Sequence, residues 1–138
     1  MDWDDYIEFG KKALHWGSNY RKSIRNYPVR SQLEPGHVYN SIPDLPPENP
    51  EKLDDIFEDF KTKIIPGITH WQHPRFFAYF PSNAAPASVF AEMLANTMGS
   101  QCMLWQTSPA ATELEEKIVD WLRIGMGLPS GFKGIIQD

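Results

Sequence analysis

Several things are scarce in this sequence. One cysteine, Cys102, occurs in 138 residues, so no internal disulfide can form and a reducing, cytoplasmic setting is the expectation. No apolar run approaches the ~20 residues that a membrane-spanning helix needs. The start, Met1-Asp2-Trp3-Asp4-Asp5, has neither the positive end nor the apolar stretch of a signal peptide. Basic residues are few: 13 Lys and Arg against 18 Asp and Glu give a net charge of −5 and a pI near 5.3. That balance disfavours nucleic acid or an anionic membrane as partner. Neither a G-x-G-x-x-G run nor a P-loop lysine is present. His37, His70 and His73 lie around a single cysteine without the paired spacing of a zinc site. Nothing marks Cys102 as an activated nucleophile, and Glu113, Glu115 and Glu116 point in different directions round a helix, which disfavours a carboxylate dyad. There are no internal repeats and no low-complexity runs.

Proline and aromatic residues are what the chain has. Hydrophobic residues at 41% and charged residues at 22% are near the average of a globular domain, and the length fits one. Twelve prolines and a mean hydropathy of −0.44 indicate that part of the chain is arm rather than core. The densest stretch is His70-Trp71-Gln72-His73-Pro74-Arg75-Phe76-Phe77-Ala78-Tyr79-Phe80-Pro81-Ser82, with five aromatic rings and two prolines in thirteen residues. The prolines remove backbone donors and push their predecessors toward extended geometry, so the stretch reads as extended rather than helical. Two readings stand: the rings fill a core, or they wall a pocket in which Trp71 and Tyr79 also offer a polar group.

Four helices are predicted around this stretch. Asp2 to about Arg25 carries Trp3, Tyr6, Gly10, Ala13, Gly17, Tyr20 and Ile24 in steps of three and four, widened by Ile7 and Leu14. Gly10 and Gly17 on that stripe indicate close approach by another element, on this chain or across a dimer. Residues 27–49 lose periodicity and read as an extended arm over a surface, with Pro35-Gly36 in a type II turn. Asn49-Pro50 starts a helix whose face is Leu53, Ile56, Phe57, Phe60 and Ile64, stopped by Pro66-Gly67. Pro86 opens the third helix and Gly99 closes it; Ser108-Pro109 opens the fourth, closed by Gly127 and Pro129. Gly134-Ile135-Ile136 reads as a strand start.

The run from His70 to Ser82, followed by Trp105-Gln106-Thr107-Ser108-Pro109-Ala110-Ala111-Thr112-Glu113-Leu114-Glu115, resembles the N-terminal part of the pyridoxal-phosphate-dependent aromatic-L-amino-acid decarboxylases. Glu34-Pro35-Gly36 and Ile64-Ile65-Pro66-Gly67-Ile68-Thr69-His70-Trp71 sit where that family has similar runs, so the likeness covers nearly the whole chain. Two long motifs in order are far more specific than one short pattern.

The resemblance implies a fold class. This chain would be mainly α, about four helices plus extended arms, within an α/β transferase of the aspartate-aminotransferase type (fold type I). Residues 1–82 would form a helical flap on the other subunit of a homodimer, and residues 83–138 the start of the large domain. It further implies that Trp71, Tyr79, Phe80 and Pro81 line the pocket for the side chain of an aromatic L-amino acid. Ser82 takes the place of a threonine whose hydroxyl reaches a ring substituent, and Gln101 and Met103 match positions supplied by the partner subunit. The cofactor is pyridoxal 5'-phosphate, with its lysine and other main contacts expected beyond residue 138, so the chain alone is expected to be inactive. The identity of the amino acid, and decarboxylation against oxidative deamination, stay open on this likeness, as does the alternative of a catalytically empty interaction module.

Overall fold

A computed structural model describes residues 3–80 and 84–136. The chain divides into two compact units, Met1–Asn83 and Ala84–Asp138.

The first unit is organised by α1 (Trp3–Ser23), with Asp4 and Asp5 in its first turn and Arg21 and Lys22 in its last. Both signs suit the helix dipole. A 3₁₀ turn, Ile24–Asn26, continues it, close to the expected end; Asp2, its expected start, lies outside the described residues. Trp16 is the centre of its packing. The indole stacks on Tyr20 with centroids 5.2 Å apart and meets Phe57 and Phe60 edge-on at 6.2 and 5.0 Å. Phe9 meets Phe57 at 5.4 Å. The covered stripe therefore runs through Phe9, Ala13, Trp16, Tyr20 and Ile24, whereas Trp3, Ile7 and Leu14 of the expected stripe are exposed. The physical reason is that edge-to-face packing against Phe57 and Phe60 selects the largest rings α1 carries. Gly10 and Gly17 do not mark a close approach within this chain: a Cβ at either would have nothing within 4 Å.

The arm after α1 turns at Pro35-Gly36 as expected. Gly36 has φ 88° and ψ −12°, and the His37 amide donates to the Glu34 carbonyl at 3.1 Å, the geometry of a type II turn. A single helical turn follows, α2 (His37–Asn40), which no periodicity signalled. The arm lies across residues 65–70. The His70 amide donates to the Val29 carbonyl at 2.9 Å, and the Ser31 hydroxyl donates to the Pro66 carbonyl at 2.9 Å.

The helix expected from Asn49-Pro50 begins later, as α3 (Leu53–Asp59). Lys52, extended at φ −72° and ψ 139°, fills the non-helical cap position, and its carbonyl accepts from both Asp55 and Ile56. At Phe60–Ile64 the helix widens to a π turn, with the Ile65 amide on the Phe60 carbonyl. It then tightens to a 3₁₀ turn at Ile65–Gly67 and stops at extended Ile68, because Pro66 brings no donor to continue it. The buried side chains among the described residues are Ile24, Ile65, His70 and His73.

The second unit holds α4 (Pro86–Met98) and α5 (Pro109–Gly125). Gly99 closes α4 in the left-handed region, φ 61°, as the sequence indicates. All of α4 is exposed, including Val89, Phe90, Leu94 and Met98. At the start of α5 the Trp105 indole donates to the Glu113 carboxylate at 2.9 Å. Gly127, φ 70°, ends it with Leu128 donating back to the Arg123 carbonyl at 3.0 Å, the wrapped turn that glycine at this position permits. Arg123 reinforces the corner, donating to the Leu128 carbonyl and to Asp120, each at 2.8 Å, and this guanidinium holds the Asp120 carboxyl below its ordinary pKa.

The strand expected at Gly134-Ile135-Ile136 is not formed, and there is no strand among the described residues. A strand needs a ladder partner; here the Ile136 amide donates instead to the Glu115 carboxylate at 3.0 Å. Gly134 lies so close to α5 that a Cβ would stand 2.6 Å from Val119 Cγ1. An open groove of about 870 Å³ runs between α5 and this tail.

Candidate functional site

His70 is the innermost side chain of the first unit, 2% exposed. Its Nδ1 lies 2.7 Å from the Tyr20 hydroxyl, fifty residues away, and its ring packs against Tyr20 at 5.6 Å and Tyr27 at 4.7 Å. Burial, with the neighbouring His73 adding to it, pushes the His70 pKa down; burial next to Tyr27 pushes the Tyr20 phenol up. Both shifts keep the pair neutral at neutral pH, so the bond joins two uncharged groups.

From His70 the backbone turns twice rather than running extended. The His73 amide donates to the His70 carbonyl at 2.8 Å and the Phe76 amide to the His73 carbonyl at 2.9 Å. Inside the second turn the Arg75 amide donates to His73 Nδ1 at 3.0 Å, which leaves the ring proton on Nε2. Pro74 fits between these donors because the turn asks nothing of its nitrogen. A hydrogen bond from Arg21 to the Gln72 side chain, 2.8 Å, adds a second link to α1.

These turns bring three rings together. Trp71 lies 4.8 Å from Phe76 and 5.6 Å from Tyr79, nearly parallel to the latter at 17°. Tyr79 takes φ 55°, the one described non-glycine residue in the left-handed region, a conformation that costs a side-chain-bearing residue about 1–2 kcal/mol. That backbone turns its ring onto the indole. Tyr79 is nevertheless 82% exposed and Phe80 99%, so the segment offers broad aromatic faces outward and does not fill a core.

Of the residues singled out in the sequence, Trp71 and Tyr79 are brought into contact and Phe80 stands beside them unpacked. Pro81 and Ser82 lie outside the described residues. Gln101 and Met103 belong to the second unit, exposed in the connector between α4 and α5. Phe76 and the His70–Tyr20–Tyr27 cluster are what sequence reasoning missed. Phe76 stands five residues from Trp71, a spacing with no meaning outside a regular element, and His70 was weighed only as a metal ligand.

The arrangement can bind and orient a flat ring. It is poorly suited to proton transfer, since both buried histidines have Nδ1 engaged. The eight lysines do not form an aldehyde-capturing site either: Lys11, Lys12, Lys61 and Lys63 are ion-paired, and Lys22, Lys52, Lys117 and Lys133 are exposed.

Comparison with known proteins bears on this geometry. Residues 35–137 match the pyridoxal-dependent decarboxylase conserved domain. Phenylacetaldehyde synthase of Arabidopsis thaliana is 43% identical over 99% of this chain and 29% of its own length. Tryptophan decarboxylase 2 of Oryza sativa subsp. japonica is 44% identical over 96% of this chain and 27% of its own length. A crystal structure of Oryza sativa TDC with PLP and tryptamine superposes with a TM-score of 0.90 at 34% identity, covering 96% of this chain and 28% of that one. The chain thus spans under a third of the relatives it matches, corresponding to their N-terminal portion.

Proposed function

Since this chain belongs to the pyridoxal-dependent decarboxylase family, we propose that it forms the part of an aromatic-L-amino-acid carboxy-lyase that receives the substrate's side chain and packs on a second subunit. The observation that carries the reading is the Trp71–Tyr79 stack, held by a left-handed Tyr79 and still open to solvent. Strained, exposed aromatic residues are characteristic of binding sites rather than of cores. Trp71, Tyr79, Phe80 and Pro81 wall the side-chain pocket, Ser82 meets a ring substituent, and Gln101 and Met103 complete it from a partner copy. The exposed apolar residues of α1 and α4 support the homodimer, because monomers rarely leave such continuous patches bare. An exposed, unpaired Cys102 is compatible with the reducing cytoplasm.

The family's cofactor, pyridoxal phosphate, supplies the electron sink for loss of the substrate carboxylate when bound. The residues of this chain do not fit its covalent site, as the lysine environments show. The part left to them is binding and orientation of the amino acid. The test is Tyr79→Ala in the holoenzyme, with kcat/KM measured for paired aromatic substrates and cofactor affinity measured alongside. A lost aromatic contact of about 3 kcal/mol predicts a change of about a hundredfold in specificity constant, unequal between substrates, with cofactor affinity nearly unchanged. A uniform loss that tracks melting temperature removes the pocket reading.

A further inference from the structure

The aromatic face of residues 71–80 is built from turns, and turns alone do not hold rings within a fraction of an ångström. What fixes them lies one residue upstream. His70 is the most buried large side chain among the described residues, yet it makes its polar contact with α1, through Nδ1 to the Tyr20 hydroxyl. Its backbone is pinned on both sides, the amide to Val29 and the carbonyl to the His73 amide that starts the first turn. Tyr20 in turn is stacked under Trp16, whose ring is seated on Phe57 and Phe60. A rigid chain of contacts therefore runs from the α1–α3 pair through Tyr20 and His70 to the turn that presents Trp71.

We propose that His70 is a positioning residue: its hydrogen bond to Tyr20 ties the aromatic segment to α1 and sets the Trp71–Tyr79 stack. This rests on the reading of that stack as a substrate-contacting surface. Ring packing on Tyr27 fixes the plane of the imidazole, and the short bond to Tyr20 fixes its rotation. His73 has a different part. Its Nδ1 closes the next turn on the Arg75 amide, so it shapes the segment without linking it to α1.

The two partners make a double-mutant cycle informative. Tyr20→Phe and His70→Phe each keep a ring and remove one side of the bond, leaving the other polar atom buried and unpaired; the double variant removes both sides and leaves no orphan. In the holoenzyme, each single variant is expected to speed amide exchange in residues 71–76 about tenfold and to shift the kcat/KM ratio of two aromatic substrates. The double variant should do no worse than either single one. Additive losses in the double variant, or single variants that leave exchange unchanged, overturn the tether. Faster exchange with unchanged selectivity, while Tyr79→Ala does shift selectivity, overturns the positioning role and spares the pocket. If neither Tyr20→Phe nor Tyr79→Ala shifts selectivity although exchange quickens, the tether stands and the pocket reading fails instead.

Discussion

Gly67→Ala puts the seating of the arm to a sharp test. A Cβ at Gly67 would stand 2.5 Å from Val38 Cγ2, with Val38 Cβ at 3.8 Å and Leu33 Cδ1 at 4.0 Å. Carbon atoms rest at about 3.5–4.0 Å, so a single methyl group of Val38 is in the way and by about 1 Å. Valine in a helix is held near one rotamer, and α2 cannot slide away without disturbing the Gly36 turn just before it. Overpacking of this kind costs about 1–3 kcal/mol. The strain should be relieved by lifting the arm, which is held by the Val29–His70 and Ser31–Pro66 hydrogen bonds. At about 2 kcal/mol the arm opens about thirtyfold more often, and exchange of the His70 amide should quicken by that factor. Val38→Ala removes the offending methyl and leaves only ordinary contacts, so Gly67→Ala/Val38→Ala should exchange like Val38→Ala alone. An unchanged His70 amide in the single variant, or no recovery in the double, refutes the seating.

Two further expectations concern titration and helix ends. Because the folded His70 pKa lies below its ordinary value, the unfolded chain binds more protons as pH falls below about 6.5. The stability it lends is complete above that pH and declines as pH drops through the lowered value. His73, Tyr20 and Tyr27 are the titratable groups beside it. Melting between pH 8 and 5 should show this slope and His70→Asn should remove it; an identical slope in the variant assigns it elsewhere. Gly127→Ala should loosen the end of α5 by about 1 kcal/mol through backbone strain alone, since a Cβ there meets nothing within 4 Å. Gly10→Ala, in equally open space within this chain, should stabilise α1 by up to about 1 kcal/mol. Thermal melts of both variants check the opposite signs, and weaker self-association of Gly10→Ala would reveal a second subunit against that glycine.

Local chemistry made much of this fold legible. Gly36, Gly99 and Gly127 mark a turn and two helix ends because each needs a left-handed backbone, and Pro109 and Pro66 mark a start and a stop because neither has a donor to give. What local chemistry cannot carry is partner identity. Phe9 and Trp16 were passed over for Trp3, Ile7 and Leu14 because all are apolar, and only the rings at Phe57 and Phe60, forty or more residues on, decide between them. The delayed start at Leu53 and the unpaired Gly134–Ile136 tail likewise depend on what lies opposite. At the candidate site the stacking of Trp71 on Tyr79 follows from two turns made by His73, whose role as a turn acceptor no spacing announces.

The π turn at Phe60–Ile64 constrains the gene's length as well as its letters. A wide turn is the geometric trace of one surplus residue in a helix. Deleting any one codon there would leave a regular α-helix with every hydrogen bond intact, yet would rotate all that follows by about 100°. Ile65 would swing out of the interior, and the Pro66 carbonyl would leave the Ser31 hydroxyl that now reaches it. Between Phe57 and Ile65, then, insertions and deletions should be purged more strictly than substitutions, and a relative with a gap here would have to seat its arm in another way.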